Sequence, residues 1–253
     1  MKKLTKIAAV LLCAVLLVVG SVAETMAYLT SKDQAVNTFT VGKVHIELDE
    51  AKVNEDGKKL NTDNKVYEEE GGTLADRVTA NTYKLIPGRT YTKDPTVWVK
   101  VDSEPSYIRM IVTISHYTEL LEIFGNDFLP QYFVDWNENT WKSTKTVNVD
   151  TKNDTASYEF RYHNGTDGVY TVPENVEIHT VANTDGEYAK LPPLFEKIEF
   201  PGEWIDNEEL EKLQDMTITV AAHAVQAAGF EGNEDAAWTA FEGQQRINEN
   251  KNK

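Results

Sequence analysis

The sequence contains very little cysteine. The only cysteine is Cys13, which lies inside an apolar run near the start of the chain. If that run is removed on export, as argued below, the remaining chain has no thiol. Disulfide bonds, thiolate metal sites and cysteine nucleophiles are then excluded, so stability has to come from the hydrophobic core and from any partners.

Basic residues are also scarce compared with acidic ones. The 253 residues include 25 Lys and Arg against 41 Asp and Glu, which gives a formal net charge of −16. Nucleic acid is excluded as a partner because its phosphates would repel such a chain. Anionic membrane surfaces are disfavoured for the same reason. Solubility outside the cell explains the acidic charge more simply than a cation-binding site does.

The familiar catalytic motifs are missing. The five histidines are never closer than 16 residues apart, and no H-E-x-x-H occurs. The helical zinc-binding motif with two histidines is therefore absent. No G-x-S-x-G, P-loop or dinucleotide fingerprint is present. The many carboxylates have no distinctive context that would mark a catalytic pair. The sequence therefore predicts no catalytic residue, no metal site and no cofactor.

The start of the chain has the pattern of a secretory signal peptide. Three lysines among the first six residues precede the 14-residue apolar run Ile7–Gly20. That run is shorter than the roughly 20 residues that a membrane-spanning helix needs. Small-x-small cleavage sites end at Ala23 and at Ala27, and we favour a cut between Ala27 and Tyr28. We therefore expect a secreted protein with no stable membrane anchor after cleavage.

Aromatic and β-branched runs, separated by Asn, Asp, Gly and Pro turns, dominate the rest of the chain. They predict strands at Val36–Leu48, Val78–Ile86, Thr96–Val101, Tyr107–His116, Phe128–Trp136, Lys145–Val149, Ala156–His163, Val169–Val172 and Thr217–Ala227. Capping residues and helical spacing predict short helices at Thr118–Phe124, Asp206–Leu213 and Asn233–Phe241. This pattern indicates a mainly β fold, a jelly-roll-like β-sandwich with a few short helices in connections and near the C-terminus.

The same pattern suggests how the chain is divided. We expect a signal peptide over residues 1–27, an N-terminal segment over 28–41, a single β-sandwich domain over 42–243 and a polar tail over 244–253. Residues 49–76 are rich in polar and charged side chains and predict an exposed loop. The acidic run Glu68–Glu70 within it predicts a solvated surface. Residues 137–200 carry no motif that we can place.

The string AYLTSKDQAVNTFTVGKVHIEL, from Ala27 to Leu48, resembles the N-termini of the TasA/camelysin family, secreted proteins of Gram-positive bacteria. Members of that family carry A-Y/F-x-T and then N-x-F-x-x-G-x-V-x-I-x-L. The matching positions are Ala27, Tyr28, Thr30, Asn37, Phe39, Gly42, Val44, Ile46 and Leu48. Two further blocks, KLIPGRTYTKDPT from Lys84 and ITVAAHAVQAAGF from Ile218, also resemble members of the family.

The resemblance implies a structural subunit of extracellular biofilm-matrix fibres. Its implied partners are copies of itself, a dedicated signal peptidase of the SipW type, and other matrix or cell-wall components. The camelysin branch of the family is classified as metallopeptidases. The missing H-E-x-x-H argues against that activity here.

The N-terminal segment suggests how such a fibre would assemble. Tyr28 to Gly42 is 15 residues, which reaches roughly 50 Å when extended. A segment of that length can lie along the sheet edge of a neighbour and form a head-to-tail filament. The residues that we expect to form this donor strand are Tyr28, Leu29, Val36, Phe39 and Val41. The alternative is that Val36–Leu48 is simply the first strand of its own sandwich, and this alternative is stronger for Val44–Leu48.

Tryptophans suggest a second class of function, a monomeric surface adhesin or carbohydrate-binding module. The candidates for a glycan platform are Trp98, Trp136, Trp141, Trp204 and Trp238. Trp136 and Trp141, in the polar string WNENTW, are favoured among them. Trp98 and Trp238 lie in apolar-patterned elements and are expected in the core.

Overall fold

The structure is a computed structural model that describes residues 30–33, 39–40, 44–182, 184–230 and 232–251. The predicted signal peptide lies outside the described residues. So do the cleavage site at Ala27 and Tyr28 and the donor-strand residues Leu29, Val36 and Val41.

Strands make up most of the regular structure. In chain order they are β1 Thr30–Asp33, β2 Phe39–Thr40, β3 Ile46–Asp49, β4 Thr90–Thr92, β5 Thr96–Lys100, β6 Ser106–Ser115, β7 Trp141–Asp150, β8 Thr155–Tyr162, β9 Val169–Tyr170, β10 Ile178–His179, β11 Tyr188–Lys190, β12 Lys197–Glu199 and β13 Ile218–Gln226. The helices are α1 Tyr67–Glu70, α2 Tyr117–Phe124, α3 Pro130–Phe133, α4 Asn207–Lys212 and α5 Glu234–Lys251.

Two antiparallel sheets pack on a shared core. The main sheet has the strand order β2-β1-β13-β6-β8-β7, with β9 also paired to β6, and the second sheet has the order β10-β11-β5-β3. One hydrophobic cluster contains Met110 and Tyr158 of the main sheet together with Ile46 and Val97 of the second. Strands β4 and β12 form a separate short pair. The predicted mainly β, sandwich-like fold is confirmed.

Strand β6 forms the centre of the main sheet, between β13 and β8. Its nearly continuous apolar sequence suits a strand that is buried on both faces. Ile108 and Met110 contribute to the core between the sheets, whereas Tyr107 joins a second cluster with Trp238 and Phe241 of α5. The C-terminal helix therefore covers the outer face of the main sheet.

Helices α2, α4 and α5 form where the sequence predicts helices. Helix α2 ends at Gly125, which has φ 64°. Asp206 caps α4, and Glu209 completes a capping box with it. Helix α5 differs from the prediction, because it continues to Lys251 instead of ending at Phe241. The polar residues after Phe241 include Gln, Arg, Glu and Lys, all of which favour a helix, so the predicted tail is helical as far as Lys251.

The predicted strand Val78–Ile86 is wrong. Only Val78 forms a bridge, to Glu50, and the rest of the segment has no regular pairing. The side chain of Asn81 replaces a strand partner, since its Nδ2 donates to the Ala51 carbonyl and its Oδ1 accepts from the Val53 N–H. Such side-chain bonds give the backbone an alternative to a β-ladder.

The predicted strand Phe128–Trp136 is also wrong, because its centre is the short helix α3. Pro130 stands at the start of that helix, where its fixed φ is suited and its missing N–H costs nothing. The aromatic residues that suggested a strand instead pack on neighbouring rings, with Phe124 and Tyr132 stacked at 4.5 Å between centroids.

The segment 49–76 is more ordered than the exposed loop predicted from its composition. It contains α1 and a bridge between Leu60 and Val66, and it buries Val53 and Asn61. The acidic run Glu68–Glu70 is exposed, as predicted.

Candidate functional site: an open groove at the edge of the sandwich

The described parts of the N-terminal segment lie at one edge of the main sheet. Strand β1 runs antiparallel to β13, with Thr30 opposite Val225 and Asp33 opposite Ala222. Strand β2 folds back on β1, so that Phe39 lies opposite Lys32. Within one chain, this segment is therefore an edge hairpin of its own sheet.

Residues Val44–Leu48 belong to the ordinary core, as predicted. Val44 and Ile46 are fully buried, and β3 pairs with β5 in the second sheet. The part of the chain from Val44 onward is thus fixed in its own sandwich.

Strand β13 is only half covered on the side away from β6. Its residues Ala222–Val225 pair with β1. Among the strands of the described residues, none pairs with Ile218–Ala221 on that side. Within the part of the chain that the structure describes, the stretch Ile218–Ala221 therefore has no strand partner on that side.

A groove of about 1090 Å³ lies against this open stretch. It runs between the first residues of β13, the end of β3, the segment 79–85 and the end of α4. Its apolar lining consists of Leu48, Tyr83, Leu85, Pro95, Ile198, Phe200, Leu210, Leu213, Met216, Ile218 and Val220. A groove of this size and lining suits several apolar side chains of a bound segment.

The polar groups on the wall formed by Glu50, Asn81, Tyr83 and Lys93 have partners within the protein. Lys93 Nζ lies 2.6 Å from Glu50 Oε2, and both side chains are buried. Asn81 Nδ2 donates to Glu50 Oε1 at 2.9 Å, and the Tyr83 hydroxyl donates to the Thr92 carbonyl at 3.1 Å. Burial raises the pKa of the Tyr83 hydroxyl, and the nearby charge of Glu50 raises it further. These pairs stabilise the wall of the groove. The surface that remains for a ligand is mainly apolar.

Metal-binding and membrane-spanning features were sought over the same described ranges. No group of three or more His, Cys, Asp or Glu side chains in them is arranged to hold a metal ion. None of the helices from α1 to α5 has the length and apolar character that crossing a bilayer requires.

The two tryptophans expected to form a glycan platform are placed differently. Trp141 is fully buried and its indole N–H donates to the Pro192 carbonyl at 3.0 Å. Trp136 is half-buried and packs between the rings of Phe128 and Phe160, with centroid distances of 5.9 and 5.6 Å. Trp141 offers no ring face to a ligand, so the pair does not form an exposed platform.

Trp204 is the most exposed of the five tryptophans, with 46% of its surface accessible, although the sequence analysis favoured Trp136 and Trp141 over it. Its place between the Pro201-Gly202 turn and the helix cap Asp206 is the signal that could have indicated exposure. Trp98 and Trp238 are buried, as predicted.

The fold and the groove together define an antiparallel β-sandwich whose main sheet is open along part of one strand. No model of a protein family, no curated protein and no solved structure matches the chain.

Proposed function

We propose that this protein is a structural subunit of an extracellular fibre, in which the N-terminal segment of one molecule pairs with β13 of the next. The observation that carries the proposal is the half-covered β13 beside an apolar groove. The resemblance of residues 27–48 to secreted fibre proteins supports the same function.

The hairpin and an extended donor strand differ in how much of β13 they cover. In the hairpin, β1 covers only Ala222–Val225, because the chain turns back to form β2. A donor that stays extended continues the same register, which brings Val36 opposite Thr219 and Asn37 opposite Ile218. The extended donor thus gains backbone pairing along the four open residues and fills the groove with its side chains.

Exchange between molecules keeps the β1–β13 pairing of the hairpin and gives up its β1–β2 pairing. The β1–β13 pairing is the same whether β1 comes from its own chain or from a neighbour, so exchange loses the two residue pairs of β1 with β2 and adds the pairs along the four further residues of β13. Each molecule donates at its N-terminus and accepts at β13. Such contacts do not close on themselves, and the product is a filament.

The opposite edge of the main sheet is a poorer acceptor. Its strand β7 has a register shift between Ser143 and Val147, and Lys145 within it has φ 55°. The exposed side chains of Lys142 and Lys145 lie along the same strand. Irregular backbone and lysines are common protections against unwanted edge pairing. The proposal therefore assigns the acceptor role to β13 alone.

The test is negative-stain electron microscopy of protein that begins at Tyr28, compared with protein that begins at Gly42. We expect filaments from the first and none from the second. The variant Val36→Pro removes one backbone N–H from the donor segment, at a position that belongs to neither β1 nor β2. It should abolish filaments. Val36→Ala is the matched control and should still polymerise, because it keeps that N–H.

Two outcomes would contradict the proposal. Filaments from the protein that starts at Gly42 would show that assembly does not need the donor segment. Monodisperse particles from the protein that starts at Tyr28, over the same concentration range, would favour the alternative of a monomeric adhesin.

A further inference from the structure

Trp204 is held on the surface by two other aromatic rings. Its ring centroid lies 5.7 Å from that of Phe124 and 6.1 Å from that of Tyr132, and those two rings are stacked on each other at 4.5 Å. Phe124 is buried and Tyr132 is half-buried. The stack therefore runs from the core to the surface and leaves much of the Trp204 ring in solvent.

The backbone and the indole of Trp204 are fixed as well. Its N–H donates to the Pro201 carbonyl at 3.1 Å, which closes a tight turn. Its indole N–H donates to Glu203 Oε1 at 3.1 Å, so a carboxylate is held at the edge of the ring. A ring fixed in this way loses little conformational freedom when a ligand packs on it.

We propose that Trp204 is the platform of a binding site for a neutral, β-linked pyranose oligosaccharide. The C–H face of such a sugar is apolar and flat, and it matches an open indole ring. Glu203 at the ring edge can accept hydrogen bonds from sugar hydroxyls.

Charge restricts the class of sugar. Glu203 beside the ring and the net charge of −16 disfavour phosphorylated, sulfated or uronic-acid glycans. A neutral glycan avoids this repulsion and still meets the carboxylate through its hydroxyls.

The site is independent of the proposed assembly at β13. Phe200 lines the groove, but Trp204, Phe124 and Tyr132 do not. A matrix subunit with such a platform would bind polysaccharide while its sheet edge is occupied by a neighbour.

The test measures binding of cellotetraose and of chitotetraose to the mature protein by tryptophan fluorescence and by isothermal titration calorimetry. We expect at least one of them to bind saturably, with a dissociation constant below about 10 mM. Bound sugar should also protect the exposed indole from quenching by acrylamide, because the other four tryptophans are buried or half-buried.

Variants test whether binding depends on the Trp204 ring or on exposed apolar side chains in general. Trp204→Ala should weaken binding by about tenfold or more, a change of about 1.4 kcal/mol, and Trp204→Phe should retain part of the affinity. Ile178→Ala, at another side chain of similar exposure, is the control and should leave binding unchanged. If neither sugar binds at about 10 mM, or if Trp204→Ala binds as well as the natural protein, the proposal is wrong.

Discussion

Arg77 fixes the long segment 49–76 to the second sheet. Its Nε donates to Asp49 Oδ1 at 2.6 Å and its Nη1 to Asp94 Oδ2 at 2.9 Å, while Nη2 donates to Thr96 Oγ1 at 2.9 Å. Trp98 Nε1 donates to the same Asp49 oxygen at 2.7 Å. One guanidinium therefore joins the end of the segment to β3, to β5 and to the turn before β5.

Replacing this arginine should destabilise the fold strongly. Arg77→Ala leaves two largely buried carboxylates without their cation, and we expect the free energy of unfolding to fall by about 3 kcal/mol. Urea denaturation measures the change. Arg89→Ala removes an exposed pair with Asp56 and should cost less than about 1 kcal/mol. Equal losses in the two variants would contradict this account.

The cost of Arg77→Ala should also depend on pH. Burial raises the pKa of Asp49, and the charge of Arg77 opposes that rise, so the substitution should raise the pKa further. A carboxyl whose pKa is raised by folding stabilises the fold below its unfolded pKa of about 3.9 and loses that contribution as pH rises. Denaturation at pH 3.5 and pH 7 should show the larger loss at pH 7. Adding Asp49→Asn to Arg77→Ala should recover part of that loss.

Gly57 lies against β4 in a conformation that needs glycine. Its φ is 75°, and a Cβ added there would lie 2.6 Å from both Cα and Cβ of Tyr91. We expect Gly57→Ala to cost about 2–4 kcal/mol, from the strain and the overlap together. Gly125→Ala has a similar φ of 64°, a ψ of 15° in the left-handed region and an open surrounding, and it should cost only about 1 kcal/mol. Thermal unfolding of the two variants distinguishes overlap from backbone strain alone.

Among the elements, helix α5 stabilises the molecule through one short stretch. Trp238 and Phe241 pack on Tyr107 and Val225, and the Arg109 guanidinium lies 4.3 Å from the centroid of the Trp238 ring. Asn233 caps the helix by accepting from the Ala236 N–H. The residues after Arg246 begin with Ile247, whose surface is 56% exposed.

Changes to the two halves of α5 should therefore differ in effect. Trp238→Ala removes a buried ring and should lower the free energy of unfolding by about 4 kcal/mol. A chain that ends after Arg246 should lose less than about 1 kcal/mol, because Ile247 and Asn248, which directly follow the cut, are exposed. Chemical denaturation of both forms, followed by circular dichroism, provides the comparison. A larger loss of unfolding free energy from the truncation than from Trp238→Ala would contradict this account.

The sequence predicted elements whose stability comes from their own apolar pattern. The strands β5, β6, β8 and β13 lie within about two residues of their predicted bounds. Their continuous or alternating apolar residues indicate a strand directly, because each pattern matches one or both faces of a buried strand. Val78–Ile86 failed because the bonds of Asn81 to Ala51 and Val53 join residues far apart in the sequence. Phe128–Trp136 failed because Pro130 starts a helix that the aromatic content concealed.

The candidate site was less predictable than the fold. The sequence suggested residues 28–41 as a strand donated to the sheet edge of a neighbour, with the first strand of its own sandwich as the alternative for Val36–Leu48. It did not identify β13 as the partner of Thr30–Asp33. The groove combines segments as distant as Leu48, Leu85 and Met216, and no local pattern links them. The prediction that Trp141 is exposed was wrong because it relied on the polar neighbours of this residue. The partner of its indole N–H, the Pro192 carbonyl, is far away in the sequence.

For the whole molecule, the central claim is that the same strand pairing forms within one chain and between chains. After removal of residues 1–27 the chain has no cysteine, so introduced thiols report on this pairing without interference. Ser31 lies opposite Ala224 in the β1–β13 register. Directly opposed positions on antiparallel strands are close enough for a disulfide.

The most direct measurement mixes two single variants, Ser31→Cys and Ala224→Cys, under assembly conditions and oxidises the mixture. Any disulfide-linked dimer that contains both variants must come from pairing between molecules. We expect that dimer on a non-reducing gel, and a ladder of multimers from the double variant. Ser31→Cys mixed with Val149→Cys, on the opposite edge of the sheet, should give none. If the mixture gives no dimer and the double variant gives only an internally bridged monomer, then β1 stays with its own chain and the strand-donation account is wrong.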